Sequence, residues 1–350
     1  MSQTISSCLI VKNEINNLPG LIEELKSFSD EIIIVDTGSS DGTYEWLIDN
    51  QDSKILKVYT FEWINDFSAA RNYSFSKASC DWIFWCDADD RLSGKLIYNI
   101  IKTKQSLEQY DCNGFIIKYL FSQTCIVPNI RLIRRSCGPV WEGACHETLV
   151  FDGDDNVISF DDESLIVHQR EHTHSDRNLY IFINQILKGE PLSYRDYYYY
   201  SCELRDNGYI DKACDVIENK LYDLWYVDAW NAIVYTLNDK YISNPEYGIS
   251  IINKFEESNY LRGDVLFLRG WLKYLMQDTI GFIEDCKKAI NMNPEGLDGY
   301  LENTLYSKVW PAINLYNLCN DVDKQYLINI ISIYREVYDE ANKFLINIGI

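Results

Sequence analysis

The stretch Asp81-Trp82-Ile83-Phe84-Trp85-Cys86-Asp87-Ala88-Asp89-Asp90-Arg91 constrains this chain more than any other. Trp82 to Cys86 are aromatic, β-branched or small and are bounded by charge, which predicts a strand buried on both faces rather than a helix. The strand stops abruptly in acid. In an extended chain Asp87 and Asp89 lie two residues apart on one side, at the strand's C-terminal edge. Carboxylates held that close repel each other unless a cation separates them. A hard divalent ion such as Mn²⁺ or Mg²⁺, completed by water and a diphosphate, fits such a pair. A bare Asp-x-Asp is more often an acidic turn after a strand, so its surroundings decide between the two readings.

Those surroundings repeat the pattern. Ile5 to Val11 is a short apolar run followed by Lys12-Asn13-Glu14, and Leu18, Leu21, Ile22, Leu25 and Phe28 then recur at helical spacing. Pro19 sits in the first turn, where a missing amide costs nothing. Glu31 to Asp36 is a second buried strand, ending in Asp36-Thr37-Gly38-Ser39-Ser40-Asp41-Gly42-Thr43. Small residues there allow another molecule's polar atoms to approach the backbone. A helix over 43–50, capped by Asp41, and a strand over 57–61 follow. Strand, helix, strand, helix with apolar strands predicts a parallel doubly wound sheet, whose ligands bind beyond the strands' carboxyl ends. Asp36 and Asp87-Asp89 share such an end. Next to them, Asn65 to Ser74 opens a helix of small residues carrying Arg71, which offers charge to a diphosphate or a plane to a base unless it is simply solvated.

Composition narrows the partners. The formal net charge is −21, which argues against nucleic acid or an anionic membrane, because either needs a basic face. An anionic nucleotide must then be met by a local metal or local arginines. No stretch approaches the about 18 apolar residues of a membrane span. Met1 to Ser7 lacks a basic start and a long apolar segment, so a cytoplasmic protein without a secretory signal is expected. The 11 cysteines contain no Cys-x-x-Cys pair and sit largely in apolar segments, as reduced small hydrophobes do.

The succession CLIVKNE, DEIIIVDTGSSDGT and FEWINDFSAARNYSFSKASCDWIFWCDADD resembles the family 2 glycosyltransferases of GT-A fold, in the branch that carries tetratricopeptide-like repeats. The likeness covers residues 5 to about 180, with ordered motifs at consistent separations. It implies an α/β GT-A, Rossmann-like, nucleotide-sugar-binding domain. It also implies that Asp36 contacts the base, that Arg71 helps hold the nucleotide, and that Val11 and Glu14 flank its pocket. Asp87 and Asp89 become the metal-diphosphate motif, with Ala88 between them in the nucleotide-sugar-binding set.

Further on, strands are expected over 111–121 and 129–135, the latter bearing Arg131, Arg134 and Arg135, which either balance local charge or meet a diphosphate. Trp141-Glu142-Gly143-Ala144-Cys145-His146-Glu147 resembles the family's G-x-V-H-E segment, with Cys145 in place of the usual valine. Sugar transfer needs a base for the acceptor's proton, and a partly desolvated carboxylate near other acids is raised toward that task, so Glu147 is the catalytic candidate. The alternative is a buried polar pair, His146-Glu147, that fixes a loop. Ser164 to His168 is one more short strand ending in an imidazole, and His168 is preferred over His172 and His174 as a third metal ligand because it ends an apolar strand.

From Leu179 onward helical periodicity dominates. The small residues Ala213, Gly248 and Gly281 recur 35 and 33 residues apart, near the period of about 34 residues of tetratricopeptide repeats, and Pro294 closes the third unit. Tyr197 to Tyr200, Trp225, Tyr226, Trp230 and Trp271 are expected in its core, and further helices such as 326–342 close the array. The expected organisation is a catalytic domain over 1–178 and an all-α tetratricopeptide-like repeat domain over 179–350. The repeats are candidates to present an acceptor and to pair with a second copy of the chain. The resemblance implies a metal-dependent, inverting transfer from a nucleoside diphosphate sugar, UDP-sugar being the commonest donor, onto a peptide or protein acceptor among others, a cysteine thiol included. The rivals are a nucleotidyltransferase on a related scaffold, for which Lys12-Asn13-Glu14 supplies no phosphate loop, and a catalytically silent repeat scaffold.

Overall fold

The structure is a computed structural model that describes residues 3–52, 54–122, 125–154, 156–160, 164–168, 176–220, 240–258, 262–292, 304–320 and 322–350. It divides into two compact units, Met1–Ser175 and Asp176–Ile350.

In the first unit, β1 (Ile5–Val11), β2 (Glu31–Asp36), β3 (Leu56–Thr60) and β4 (Trp82–Trp85) lie in the order β3-β2-β1-β4, all parallel. Alternation along the strands builds two layers, as the period of two requires. Ile32, Ile34, Trp82 and Phe84 face the helices α1 (Leu18–Lys26), α2 (Thr43–Asn50) and α4 (Gly94–Lys104). Ile33, Val35, Ile83 and Trp85 face α3 (Phe67–Ser76) and Trp141. Every residue of β2 and β4 is buried, which is why Ile32 to Val35 and Trp82 to Trp85 read as unbroken apolar runs, with the acids of β2 only at its two ends.

Beyond β4 the sheet becomes mixed. β7 (Cys125–Arg134) is antiparallel to both β4 and β6 (Gly114–Ser122). β11 (Leu165–His168) joins β6 in parallel and holds β5 (Asp90–Leu92) in antiparallel register, with His168 opposite Asp90. β10 (Val157–Ser159) pairs with β6, and β8 (Val140–Glu142) with β9 (Thr148–Val150) makes a separate hairpin. The extended geometry expected for Asp87 to Asp89 is not what forms. The chain turns at Ala88 and Asp89, closed by Asp90 N donating to the Asp87 carbonyl at 3.1 Å, before β5 begins. Asp87 and Asp89 are therefore aimed at different partners.

In the second unit every described element is helical: α5 (Arg177–Lys188), α6 (Tyr194–Asp206), α7 (Ile210–Lys220), α8 (Pro245–Ser258), α9 (Gly263–Leu275), α10 (Thr279–Asn291), α11 (Trp310–Leu318), α12 (Lys324–Ile333) and α13 (Asp339–Asn347). The single helix expected over 326–342 is thus two. The recurring small residues mark close approaches: Ala213 is fully buried, and a Cβ on Gly248 would lie 2.5 Å from that of Tyr241 and 2.8 Å from Leu272 Cδ1. Tyr197 and Tyr198 pack on this core. Trp271 stacks on Tyr274, while Trp225, Tyr226, Trp230 and Pro294 lie outside the described residues.

Two outcomes follow from these contacts. Gly248→Ala, which in an open helix would gain about 1 kcal/mol of propensity, should instead destabilise the chain in urea unfolding, because a β-carbon has no room against Tyr241. Glu31, at the start of β2, accepts from Ser6 Oγ at 2.6 Å, Lys57 Nζ at 2.5 Å and Ser79 N at 2.5 Å. Burial works against its charged form, but Lys57, Ser6 and Ser79 outweigh it and hold the carboxyl down at about 2. Its stabilisation is therefore complete above the unfolded value of about 4.3 and is lost as pH falls through about 2. Glu31→Gln should cost about 2–3 kcal/mol at neutral pH, and the difference from the parent should shrink steadily between pH 5 and pH 2.

Candidate active site

The carboxyl ends of β1, β2 and β4 form one rim, in register: Val11 pairs with Asp36 in the β1–β2 ladder. Val11 is buried, and its carbonyl accepts from both Thr37 N and Thr37 Oγ1 at 3.0 Å. Glu14 N donates to Thr43 Oγ1 at 2.9 Å, and Glu14 Oε2 accepts from Asn17 Nδ2 at 3.0 Å. Asp36 is 3% exposed; its Oδ1 accepts from Gly38 N and Ser39 N at 2.9 and 3.0 Å, whereas Oδ2 is buried with no hydrogen-bond partner among the described residues. The N-cap of α2 is Gly42 rather than the expected Asp41, whose Oδ1 takes Thr43 N at 3.0 Å and whose Oδ2 takes Ile15 N at 3.2 Å. That stitches the 12–15 loop to the 37–43 loop.

Arg71 comes from α3, whose start is fixed by Asp66 accepting from Ala69 N at 2.9 Å. Its Nη2 meets Asp87 Oδ1 at 2.7 Å and its Nε meets Glu147 Oε1 at 2.6 Å, while the guanidinium lies 5.2 and 4.9 Å from the Trp85 and Trp141 ring centres. One cation thus joins the acidic turn to the 143–147 loop. Glu147 was expected among acids; its neighbour is a guanidinium. The loop takes left-handed backbone at Gly143 (φ 92°), where glycine is unstrained, and at His146 (φ 51°), where a side chain is uncommon. Burial works against charge on Asp87, but Arg71 and Arg131 prevail and lower its pKa.

Asp89 turns the other way. His168 Nδ1 lies 3.6 Å from Asp89 Oδ1 and 3.8 Å from Asp90 Oδ1. Ligand atoms of Asp89, Asp90 and His168 all fall within 4.8 Å of one another, and Ala88 is buried beneath the turn. Burial pushes the Asp89 carboxyl up to about 6, with Asp87, Asp90 and Glu14 adding to the effect and His168 opposing it. The facing Asp90 carboxylate, against the pull of burial, raises His168. Two carboxylates and an imidazole at this spacing fit a divalent cation such as Mn²⁺ or Mg²⁺. An independent observation agrees: Asp90 is fully buried, and its Oδ1 has no hydrogen-bond partner among the described residues.

The rim therefore brings together Val11, Glu14, Asp36, Arg71, Asp87, Ala88, Asp89, Glu147 and His168, but splits Asp87 from the Asp89–His168 cluster. Sequence reading passed over Asp90, though it is the fourth residue of the acidic run, and left Arg131 unresolved. His172 and His174 lie outside the described residues. Arg134 and Arg135 spend their guanidinium groups on the carbonyls of Tyr110, Cys112 and Cys80.

Residues 6–136 match the family described as Glycosyl transferase family 2. A TPR repeat-containing protein of Synechococcus elongatus is 34% identical over 130 residues, 37% of this chain and 30% of its own length. The SPbeta prophage-derived glycosyltransferase SunS of Bacillus subtilis is 30% identical over 146 residues, 41% of this chain and 34% of its own. The chain thus spans about a third of these curated relatives. Among solved structures, S. aureus TarS 1-349 in complex with UDP overlaps 85% of this chain and 95% of its own at 13% identity, with a TM-score of 0.40, too low to establish a shared fold.

Removing the Arg71 side chain as Arg71→Met leaves two part-buried carboxylates facing each other and should cost about 3–5 kcal/mol in urea unfolding. Adding Asp87→Asn should restore at least about 1 kcal/mol of that, the sign of coupling in a double-mutant cycle.

Proposed function

We propose that this chain transfers a sugar from a UDP-sugar to an acceptor on a peptide or protein, with inversion at the anomeric carbon and with the help of a divalent cation. The observation that carries the reading is the division of acids at one rim: Asp89, Asp90 and His168 clustered for a cation, Asp87 and Glu147 joined by Arg71. A bound Mn²⁺ or Mg²⁺ would neutralise the departing diphosphate. Arg71, buried against two indoles, keeps its charge where phosphate oxygens would lie. Asp36 supports the base assignment. Its buried Oδ2 lacks a donor among the described residues, and the ring N–H of uracil supplies one, whereas the matching ring nitrogen of cytosine is itself an acceptor.

Glu147 is the base of this scheme. Arg71 holds Oε1, and among the described residues no hydrogen bond engages Oε2. The acceptor's hydroxyl or thiol attacks the anomeric carbon as the bond to the diphosphate breaks, and its proton passes to Oε2. A thiol acceptor demands less of that base than a hydroxyl does.

The test is a panel of UDP-, GDP- and CDP-sugars with Mn²⁺, reading released nucleoside diphosphate from the wild type, Asp89→Ala, Asp36→Asn and Glu147→Gln. Release from a UDP-sugar that depends on Mn²⁺ and falls at least 100-fold in Asp89→Ala is expected, with Asp36→Asn losing preference for UDP over CDP. Equal release by wild type and Asp89→Ala would overturn the cation assignment. No release from any donor would favour a scaffold acting through its helices.

A further inference from the structure

Arg131 has no role in that scheme, yet it is among the largest fully buried side chains in the protein. It stands on β7, and its guanidinium lies 3.7 Å from the Trp85 ring centre and 4.6 Å from that of Tyr119. Its Nη1 is 3.4 Å from Asp90 Oδ2. The same Oδ2 accepts from Asp87 N at 2.9 Å. One oxygen of a fully buried carboxylate is therefore engaged from two sides, and the other, Oδ1, has no hydrogen bond among the described residues, lying 3.8 Å from His168 Nδ1 and inside the cluster with Asp89. A buried ion pair of this kind does not stabilise a fold better than apolar residues of the same volume, so stability alone does not account for it.

We propose that Asp90 supplies the second carboxylate of the cation site through Oδ1, and that Arg131 is the positioning residue that holds Asp90 in place by Oδ2. Asp87, the residue that spacing first offered as that carboxylate, is then free to serve Arg71 and the diphosphate side. The cation would be held by Asp89, Asp90 and His168, with Arg131 fixing Asp90 by its other oxygen. This inference rests on the reading that the rim holds a divalent cation, and deepens it by naming which acids do so. Partners that orient a ligand are worth about 10- to 100-fold in metal affinity.

The experiment measures Mn²⁺ affinity of the full chain by electron paramagnetic resonance of free Mn²⁺, with and without UDP, alongside thermal unfolding and metal-free UDP affinity. Asp90→Asn combined with Arg131→Met removes both buried charges at once and should bind Mn²⁺ at least tenfold more weakly. Arg131→Lys keeps the charge but not the fork, and should lose three- to tenfold in Mn²⁺ affinity while metal-free UDP affinity stays within twofold. A merely structural role would move unfolding and UDP affinity together instead. Asp87→Asn should keep Mn²⁺ affinity without UDP within threefold.

A folded double variant, or Arg131→Lys, that binds Mn²⁺ within twofold of the wild type would overturn the proposal. So would a loss in Asp87→Asn as large as that of the double variant, because the second carboxylate would then be Asp87. A wild type that binds no Mn²⁺ in either condition would instead bring down the cation site as a whole.

Discussion

The rim depends on one guanidinium. Arg71 holds an acid from the turn after β4 and an acid from the loop inside the β8–β9 hairpin, two segments that share no strand ladder. In a chain of net charge −21 the two carboxylates would otherwise drive each other apart. At an effective dielectric of 20, unit charges about 4 Å apart interact by about 4 kcal/mol, enough to decide whether the loop docks. Arg71 in turn depends on how α3 is seated. Asp66 fixes the first turn, and buried Ser68, Ala70 and Ser74 let the helix lie close to β1 and β2, so that the long side chain reaches the rim. Phe67 N, bonded to the Ala144 carbonyl at 2.9 Å, ties the same helix start to the loop that carries Glu147.

The loops before and after β2 are stitched by local bonds rather than by core packing. Asn13, at φ of 59°, accepts from Ser40 N through its side chain at 2.7 Å, and its own amide donates to Ser39 Oγ at 2.9 Å. With Asp41 on Ile15 N, three polar residues lock two loops that have almost no apolar content. A pocket held this way keeps its shape without a ligand, which lowers the ordering cost of binding.

Much of this was legible in the sequence because it is written in local pattern. Trp82 to Cys86 and Ile32 to Val35 are buried on both faces, so they are apolar throughout, and their ends had to lie together once the sheet was parallel. The recurrence of Ala213, Gly248 and Gly281 was legible because backbone contact tolerates only small residues. Partnerships set by long-range register were not. His168 reaches Asp90 because a four-residue strand pairs antiparallel with a three-residue one, and no periodicity announces strands that short. Arg131 reaches Asp90 because β7 runs antiparallel to β4, a pairing made across 41 positions. The tight turn at Ala88 and Asp89, which replaces the expected extended geometry, is closed by Asp90, so missing that residue and misreading the turn are one error.

Buried polar atoms without a hydrogen-bond partner among the described residues occur in both units. In the N-terminal unit Asp36 Oδ2, Asp90 Oδ1, Arg131 Nε and Trp141 Nε1 all belong to the rim or to the side chains that back it. Each such group costs about 1–3 kcal/mol when nothing bonds it. The cost is borne by the layers around it, where Ile32 to Val35 and Trp82 to Trp85 are buried on both sides of the sheet. The helical unit has unpartnered buried atoms too, Asn178 Oδ1 and Ser307 Oγ among them, but its Arg269, as buried as Arg131, engages Asp285 through two nitrogens at 2.9 and 2.7 Å and Asn253 through a third at 3.0 Å. A sequence that satisfies one buried arginine so completely could have satisfied the other by the same means. That it leaves acceptor oxygens open at both ends of one rim, Asp36 at one and Asp90 at the other, matches a ligand that brings a hydrogen-bond donor at one end and a positive ion at the other.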